Sequence, residues 1–321
     1  MWPERLKTWC RERPILPAPL RPGDKIALIT PATVVREEYV AAGEAEIRRR
    51  GYMPVRMSHL TTGGDGRFAS SATHRLEDLL AALQDPAIRA IWCCRGGYGS
   101  VQMISQVPLS TVQMSAKWLI GFSDVCALHS LWLRTGVKAL HAPMMRRLKD
   151  RPTDEISDLI FAILGGATHT SFSGAIHPLQ QCGTASGRLI GGNVSVLGDL
   201  AATPFDQAML MADEPFILML EDVGESLSRL QRRLWRLRLA GVINRASGIV
   251  VGQFAACGNG VNFTSAEDMI AELLAEWNIS CPVTYNFPVG HDDCNEPLMI
   301  GARTTLQVDP CFVSLEQNYI S

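Results

Sequence analysis

The sequence predicts an α/β protein whose first half builds a parallel sheet. Three observations carry this. Short apolar runs alternate with amphipathic segments of helical period through the first half. A length of 321 residues suits about two domains. A stretch over 166–186, rich in Gly, Ser and Thr, divides the chain and reads as a linker. The predicted organisation is an N-terminal domain over 1–165, the linker, and a C-terminal domain over 187–321.

The elements follow in order. Residues 25–30 form an apolar run after the turn cluster Pro22-Gly23-Asp24, and read as a buried strand. Residues 37–50 are polar and alanine-rich, as a surface helix is; 52–57 read as a second strand. Over 75–84, Leu76, Leu79, Leu80 and Leu83 fall at helical spacing, and Asp85-Pro86 ends the helix. A third strand over 88–94 runs into Arg95-Gly96-Gly97-Tyr98-Gly99. A fourth over 117–121 meets a helix over 124–134 with almost no loop between them. In the second half, 216–220 and 248–251 read as strands, and 226–239 and 266–277 as helices. Residues 304–308 and 312–315 flank Asp309-Pro310 as a hairpin.

Composition excludes several classes. Apolar residues make up 47%, charged residues 19%, and the formal net charge is −2, so no basic field exists to hold nucleic acid. The longest apolar runs, such as 159–164, fall far short of a membrane span. Charged residues at 4, 5, 7, 11, 12 and 13 leave no apolar leader segment, so a cytoplasmic location is expected. Nine cysteines are an odd number, and no CxxC or Cys/His cluster has zinc spacing. Neither a metal nor a cofactor is expected.

The strand-to-helix corner Gly121-Phe-Ser-Asp124 is the most informative local feature. A serine there projects its hydroxyl over the carboxyl end of a sheet, and the Asp124 N–H opens the following helix. The α/β-hydrolase pattern G-x-S-x-G is absent, because Val125 holds its last position; a helix cap is the competing reading of Ser123. The glycine loop after the third strand matches neither nucleotide-binding glycine pattern. Its Gly96 or Gly97 N–H can supply a second oxyanion donor, or the loop is simply a tight turn. Glu221 ends the strand at 216–220 and suits an acid that orients a histidine. Asp222 and Glu225 are better explained by the next helix's N-terminus. His291 reads as a loop histidine, and His141 is its main rival; His129, two turns after Ser123, reads as packing or surface. The five arginines over 229–238 accompany a leucine stripe, which makes them a solvated face.

Taken together, these segments resemble the LD-carboxypeptidase family of serine peptidases over about residues 20–310. The matching pieces are Arg21-Pro-Gly-Asp24, residues 75–90, Arg95-Gly-Gly-Tyr-Gly99, Gly121-Phe-Ser-Asp124, Gly187-Arg-Leu-Ile-Gly-Gly-Asn193, Leu220-Glu-Asp-Val-Gly-Glu225 and Gly290-His291. Each is short, but seven in one order are specific. The resemblance implies an N-terminal domain similar to class I glutamine amidotransferases and a smaller, β-rich C-terminal domain. It implies Ser123 as nucleophile, Glu221 as orienting acid and His291 as base, the last two coming from the second domain. Asp124 with Gly96 or Gly97 would form the oxyanion hole, and Arg95 or Arg188 would bind the substrate carboxylate. The implied activity removes a terminal D-residue from an L,D-linked muropeptide. The alternatives are an immunity-type peptidase acting on a peptide–nucleotide antibiotic, or a non-catalytic binding protein. The expected partners are a small muropeptide-like substrate and a second copy in a homodimer, with no nucleic acid and no membrane. The segment 292–301 departs from the family's more apolar run, and residues 1–20, with Trp2 and Trp9, lie outside the resemblance.

Overall fold

A computed structural model describes residues 14–61, 66–211, 214–258 and 263–321. The charged residues 4–13, with Trp2, Trp9 and Cys10, lie outside them. The described chain falls into two compact units. One runs to Thr168 and takes in Pro297–Met299; the other comprises His169–Glu296 and Ile300–Ser321.

The first unit winds strands and helices alternately: β1 (Lys25–Ile29), α1 (Glu37–Arg49), β2 (Met53–Arg56), α2 (Ala72–Gln84), β3 (Ile88–Cys93), α3 (Leu109–Ser115), β4 (Trp118–Gly121), α4 (Cys126–Arg134), β5 (Ala139–His141), α5 (Met145–Asp150) and α6 (Glu155–Leu164). The strands lie in the order β2-β1-β3-β4-β5, all parallel. β1, β3 and β4 are almost wholly buried, which explains their unbroken apolar runs. The chain leaves β1 toward β2 on one side and later fills β3, β4 and β5 on the other. Such a reversal opens a crevice at the carboxyl ends of the strands, where ligands of parallel sheets bind. The loops after β1, β3 and β4 lie at that end.

The second unit contains β6 (His169–Gly174), β7 (Gly183–Asn193), α7 (Val194–Leu200), α8 (Gln207–Leu210), β8 (Phe216–Val223), α9 (Leu227–Leu239), α10 (Val242–Arg245), β9 (Gly248–Ala255), α11 (Ala266–Glu276) and β10 (Val283–Thr284). After β11 (Leu298–Ile300), which joins the first sheet beside β5, come β12 (Arg303–Val308) and β13 (Val313–Asn318). The second sheet has the order β10-β9-β8-β7-β12-β13-β6. β7 to β10 are parallel, while β7, β12, β13 and β6 pair antiparallel. The hairpin about Asp309-Pro310 is present as β12 and β13.

The stretch 166–186 is not an extended connection. It carries β6 and the start of β7. In β6, Thr170 and Phe172 point inward while His169, Ser171 and Ser173 face solvent. This edge strand is built on a polar alternation, so composition made it look like loop. α9 follows its sequence stripe: Leu227, Leu230, Leu234 and Leu237 are its buried residues. Among the described residues no helix is long and apolar enough to cross a membrane.

The α9 stripe yields a stability prediction. Leu234→Ala should cost about 2–5 kcal/mol in urea unfolding, as truncation of a buried leucine does. Arg236→Ala, on the solvated face, should stay within about 0.5 kcal/mol. A comparable loss in both variants would contradict the assignment of faces.

Candidate active site

Ser123 sits at the carboxyl end of β4. Its backbone is left-handed, at φ 64°, between extended Phe122 and a single 3-10 turn over Ser123–Val125 that feeds α4. A non-glycine residue held there is strained, at a cost of order 1–3 kcal/mol. The geometry is that of an elbow, with the side chain thrown outward at a sharp strand-to-helix turn. It differs from a plain cap: no side-chain hydrogen bond from Ser123 closes the helix.

The glycine loop after β3 backs this corner. A Cβ on Gly96 would lie 2.9 Å from Ser123 Cβ and 3.1 Å from Ser123 Oγ, so only glycine fits. The loop is pinned from three sides. Thr33 N–H donates to Gly96 O at 3.2 Å, and Tyr98 N–H to Thr33 Oγ1 at 3.2 Å. Arg75, buried, donates to Gly99 O at 3.1 Å and to Gln102 Oε1 at 2.6 Å. Ser100 N–H donates to the buried Asp124 carboxylate at 2.8 Å. The residue after the serine therefore fastens the loop beside the serine. Thr33, Arg75 and the Asp124 side chain were not legible in the sequence, because their partners in this loop lie far away in the chain.

Two other histidines of this unit behave as core. His141 ends β5 beside Gly121, fully buried, with its ring edge-on to Phe122 at 5.8 Å. Burial pushes the His129 pKa down to about 3, so that ring is neutral at ordinary pH.

In the second unit, Glu221 lies near the end of β8, opposite Asn193 of β7 and inside a register shift against β9. The irregularity breaks the regular alternation here, and Glu221 and Asp222 are both buried. Asp222 accepts from Asn193 Nδ2 at 2.9 Å and from the Ser195 N–H and hydroxyl at 2.9 and 2.8 Å. It thus holds the start of α7, whereas the sequence assigned it to the helix that follows. Glu225 pairs with Arg229 in the first turn of α9 at 3.6 Å.

Glu221 Oε2 lies 2.6 Å from His291 Nδ1. His291 is carried by a loop folded along β9: Gln253 N–H donates to Val289 O at 2.9 Å, and Gly290 N–H to buried Asn295 Oδ1 at 3.1 Å. Gly290 has φ 139°, and a Cβ there would crowd Gln253. Burial raises the Glu221 carboxyl pKa, and the His291 hydrogen bond opposes this only partly. For His291, burial alone would lower the pKa. The Glu221 hydrogen bond, with the charges of Glu221, Asp222 and Asp292, outweighs it and sets the net direction upward. An Nδ1–H held by the carboxylate leaves Nε2 as the basic nitrogen.

The two candidate carboxylate ligands fare differently. Arg95 is exposed next to Gly96 and donates to Val34 O at 2.7 Å. Arg188 lies opposite Phe216 at the start of β8, five positions from the Asn193–Glu221 pair, about 16 Å along the strands. It is paired with Glu214 at 2.5 Å. Arg188 therefore belongs to the other end of the sheet and is withdrawn as a substrate ligand. Its place beside a glycine-rich segment misled, because those glycines lie inside a strand and not at its mouth.

A strained serine corner with glycine backing and a buried acid–histidine pair are side chains of the types used in acyl transfer. Residues 26–142 match the LD-carboxypeptidase N-terminal domain and residues 186–306 the LD-carboxypeptidase C-terminal domain. The chain belongs to the LD-carboxypeptidase family. It is 31% identical to a murein tetrapeptide carboxypeptidase of Pseudomonas aeruginosa over 300 residues, covering 88% of this chain and 93% of that one. The crystal structure of a muramoyltetrapeptide carboxypeptidase from Oxalobacter formigenes shares the fold, with a TM-score of 0.80 at 23% identity over 92% of this chain and 98% of that one. The microcin C7 self-immunity protein MccF, solved with aspartyl sulfamoyl adenosine, also shares it, at 0.82 and 20% identity over 96% and 100%.

The histidine pair makes a titration prediction. By NMR the His291 ring should titrate above the ordinary imidazole value near 6.5. Glu221→Gln removes the negative partner and should bring the midpoint down. An unchanged midpoint in Glu221→Gln would mean the carboxylate does not govern the ring.

Proposed function

We propose that this chain is a serine peptidase that removes a terminal D-amino acid from an L,D-linked muropeptide. One observation carries the reading: the hydrogen-bonded Glu221–His291 pair occurs in a chain of this family whose Ser123 occupies a strained, glycine-backed corner. In this mechanism His291 Nε2 takes the Ser123 proton as Oγ attacks the scissile carbonyl. Glu221 holds Nδ1–H and stabilises the imidazolium that forms. The N–H groups of Asp124 and of Gly96 or Gly97 receive the oxyanion. His291 then protonates the leaving amine, and water releases the acyl group from Ser123. No step draws on a metal or cofactor. Arg95 is the proposed partner of the substrate's terminal carboxylate, since burying that charge unpaired would be costly. The reading places the protein in the cytoplasm as a homodimer acting on small peptides, not on nucleic acid or membranes.

Likeness to MccF favours a second reading, an immunity-type peptidase that cleaves a peptide–nucleotide conjugate. Substrate comparison separates the two. The free-acid L,D-tetrapeptide should be cleaved with release of free D-alanine. Its C-terminal amide should lose about 2–5 kcal/mol of transition-state binding, about 30-fold or more in kcat/KM. An all-L version should be a poor substrate. Equal rates on all three would overturn the carboxypeptidase reading while leaving the serine chemistry standing.

Two further outcomes test the chemistry. Ser123→Ala should fold normally and lose several orders of magnitude in kcat; retention of more than about a tenth of the wild-type rate would exclude Ser123 as nucleophile. His291 must be neutral to act as a base. Turnover should therefore rise with pH through a value above 6.5, and in Glu221→Gln the residual activity should rise at lower pH. A profile flat from pH 5 to 8 would count against His291.

A further inference from the structure

At the sheet edge farthest from β5, the turn after β2 meets the first turn of α2. His59 comes from the turn; His74 and Glu77, one helical turn apart, come from α2. One ligand atom from each residue lies within 4.8 Å of the other two. The imidazoles stack at 4.2 Å, nearly parallel, and His59 Nε2 stands 4.0 Å from Glu77 Oε2. Tetrahedral bonds of about 2.0–2.1 Å would need ligand atoms about 3.3 Å apart, and because one ion cannot lie in two parallel ring planes at once, the exposed His74 ring must turn out of the stack for its Nε2 to converge with that of His59.

The groups behind the two rings carry the argument. The buried Asp78 carboxylate accepts the His59 backbone N–H at 3.0 Å and lies 3.0 Å from His59 Nδ1. The buried Ser70 hydroxyl lies 2.9 Å from His74 Nδ1. Each ring thus has its Nδ1 engaged by a buried oxygen. With Nδ1–H donated, the Nε2 lone pairs are left to coordinate, which is the carboxylate- and hydroxyl-supported arrangement found behind metal-bound histidines.

We propose that His59 Nε2, His74 Nε2 and a Glu77 carboxylate oxygen form a surface site for a first-row divalent cation, zinc foremost, with a fourth position open to water. Two imidazoles and a carboxylate suit zinc or cobalt and not the all-oxygen preference of calcium or magnesium. The site is separate from the proposed chemistry: β2 is three strands from β4, about 14 Å across the sheet. Its role is to tie the turn after β2 to the start of α2. No zinc spacing is visible along the chain because His59 lies far upstream of the His74–Glu77 pair, and only the fold brings them together.

The test is cobalt(II) titration of the full-length, metal-stripped protein, followed by zinc displacement. One equivalent should bind, with visible d–d bands and no near-ultraviolet thiolate band, and zinc should bleach the signal. His74→Gln and Glu77→Gln, both substitutions at exposed positions, should each weaken binding by at least about 10-fold while leaving the circular dichroism spectrum unchanged. Saturating zinc should also raise the melting temperature of the wild type and not of His74→Gln. Absence of saturable uptake would overturn the proposal. So would equal uptake by the two variants, or a thiolate band showing that cysteines hold the ion.

Discussion

The functional reading depends above all on a carboxylate kept out of water. Glu221 has no exposed surface, and its carboxylate lies 2.6 Å from the imidazole of His291, with Asn193 as a second partner. Burial penalises the charge on each group, so each ion is tolerable only beside the other. That mutual dependence fixes the ring's orientation and its tautomer. It also explains the effort spent around the pair. The register of β8 against β9 shifts at Glu221, Asn193 and Asp222 hold the neighbouring strand end and α7, and Gly290 and Asn295 bend the His291 loop against β9.

The serine corner follows a different logic. Strain at Ser123 is sustained by a loop that no larger residue than glycine could bring so near, and by Asp124 reaching back to Ser100. Rigidity there comes from backbone partners together with ring packing of Tyr98 on Phe68. A site of this kind tolerates no reshaping, because the loop and the turn each define the other. Acyl transfer demands such pre-organisation, since donors must already face the place where charge will develop.

Much of this was legible in the sequence. Buried parallel strands announce themselves as unbroken apolar runs, and β1, β3 and β4 were read within a residue or two. The leucine stripe of α9 gave its buried face, because one helix surface is a local property. Ser123 and Glu221 were conspicuous because each ends an apolar strand. What was not legible is non-local or polar. β6 looked like loop because an edge strand can be made of Ser and Thr. Arg188 looked suitable because proximity in sequence to glycines says nothing about which end of a strand a residue occupies. The supports at Thr33, Arg75 and Asn295, and the His59–His74 stack, join residues that only the fold makes neighbours.

The proposed mechanism makes Ser123 and His291 one catalytic unit, although they belong to different compact units of the chain. Single-turnover rates of Ser123→Ala, His291→Ala and the double variant test it most directly, on an L,D-tetrapeptide under identical conditions. Residues that act together lose their function together, so the double variant should be about as slow as either single one. Multiplicative losses, with the double variant slower by the product of the two single effects, would show that the residues contribute independently and would contradict the account.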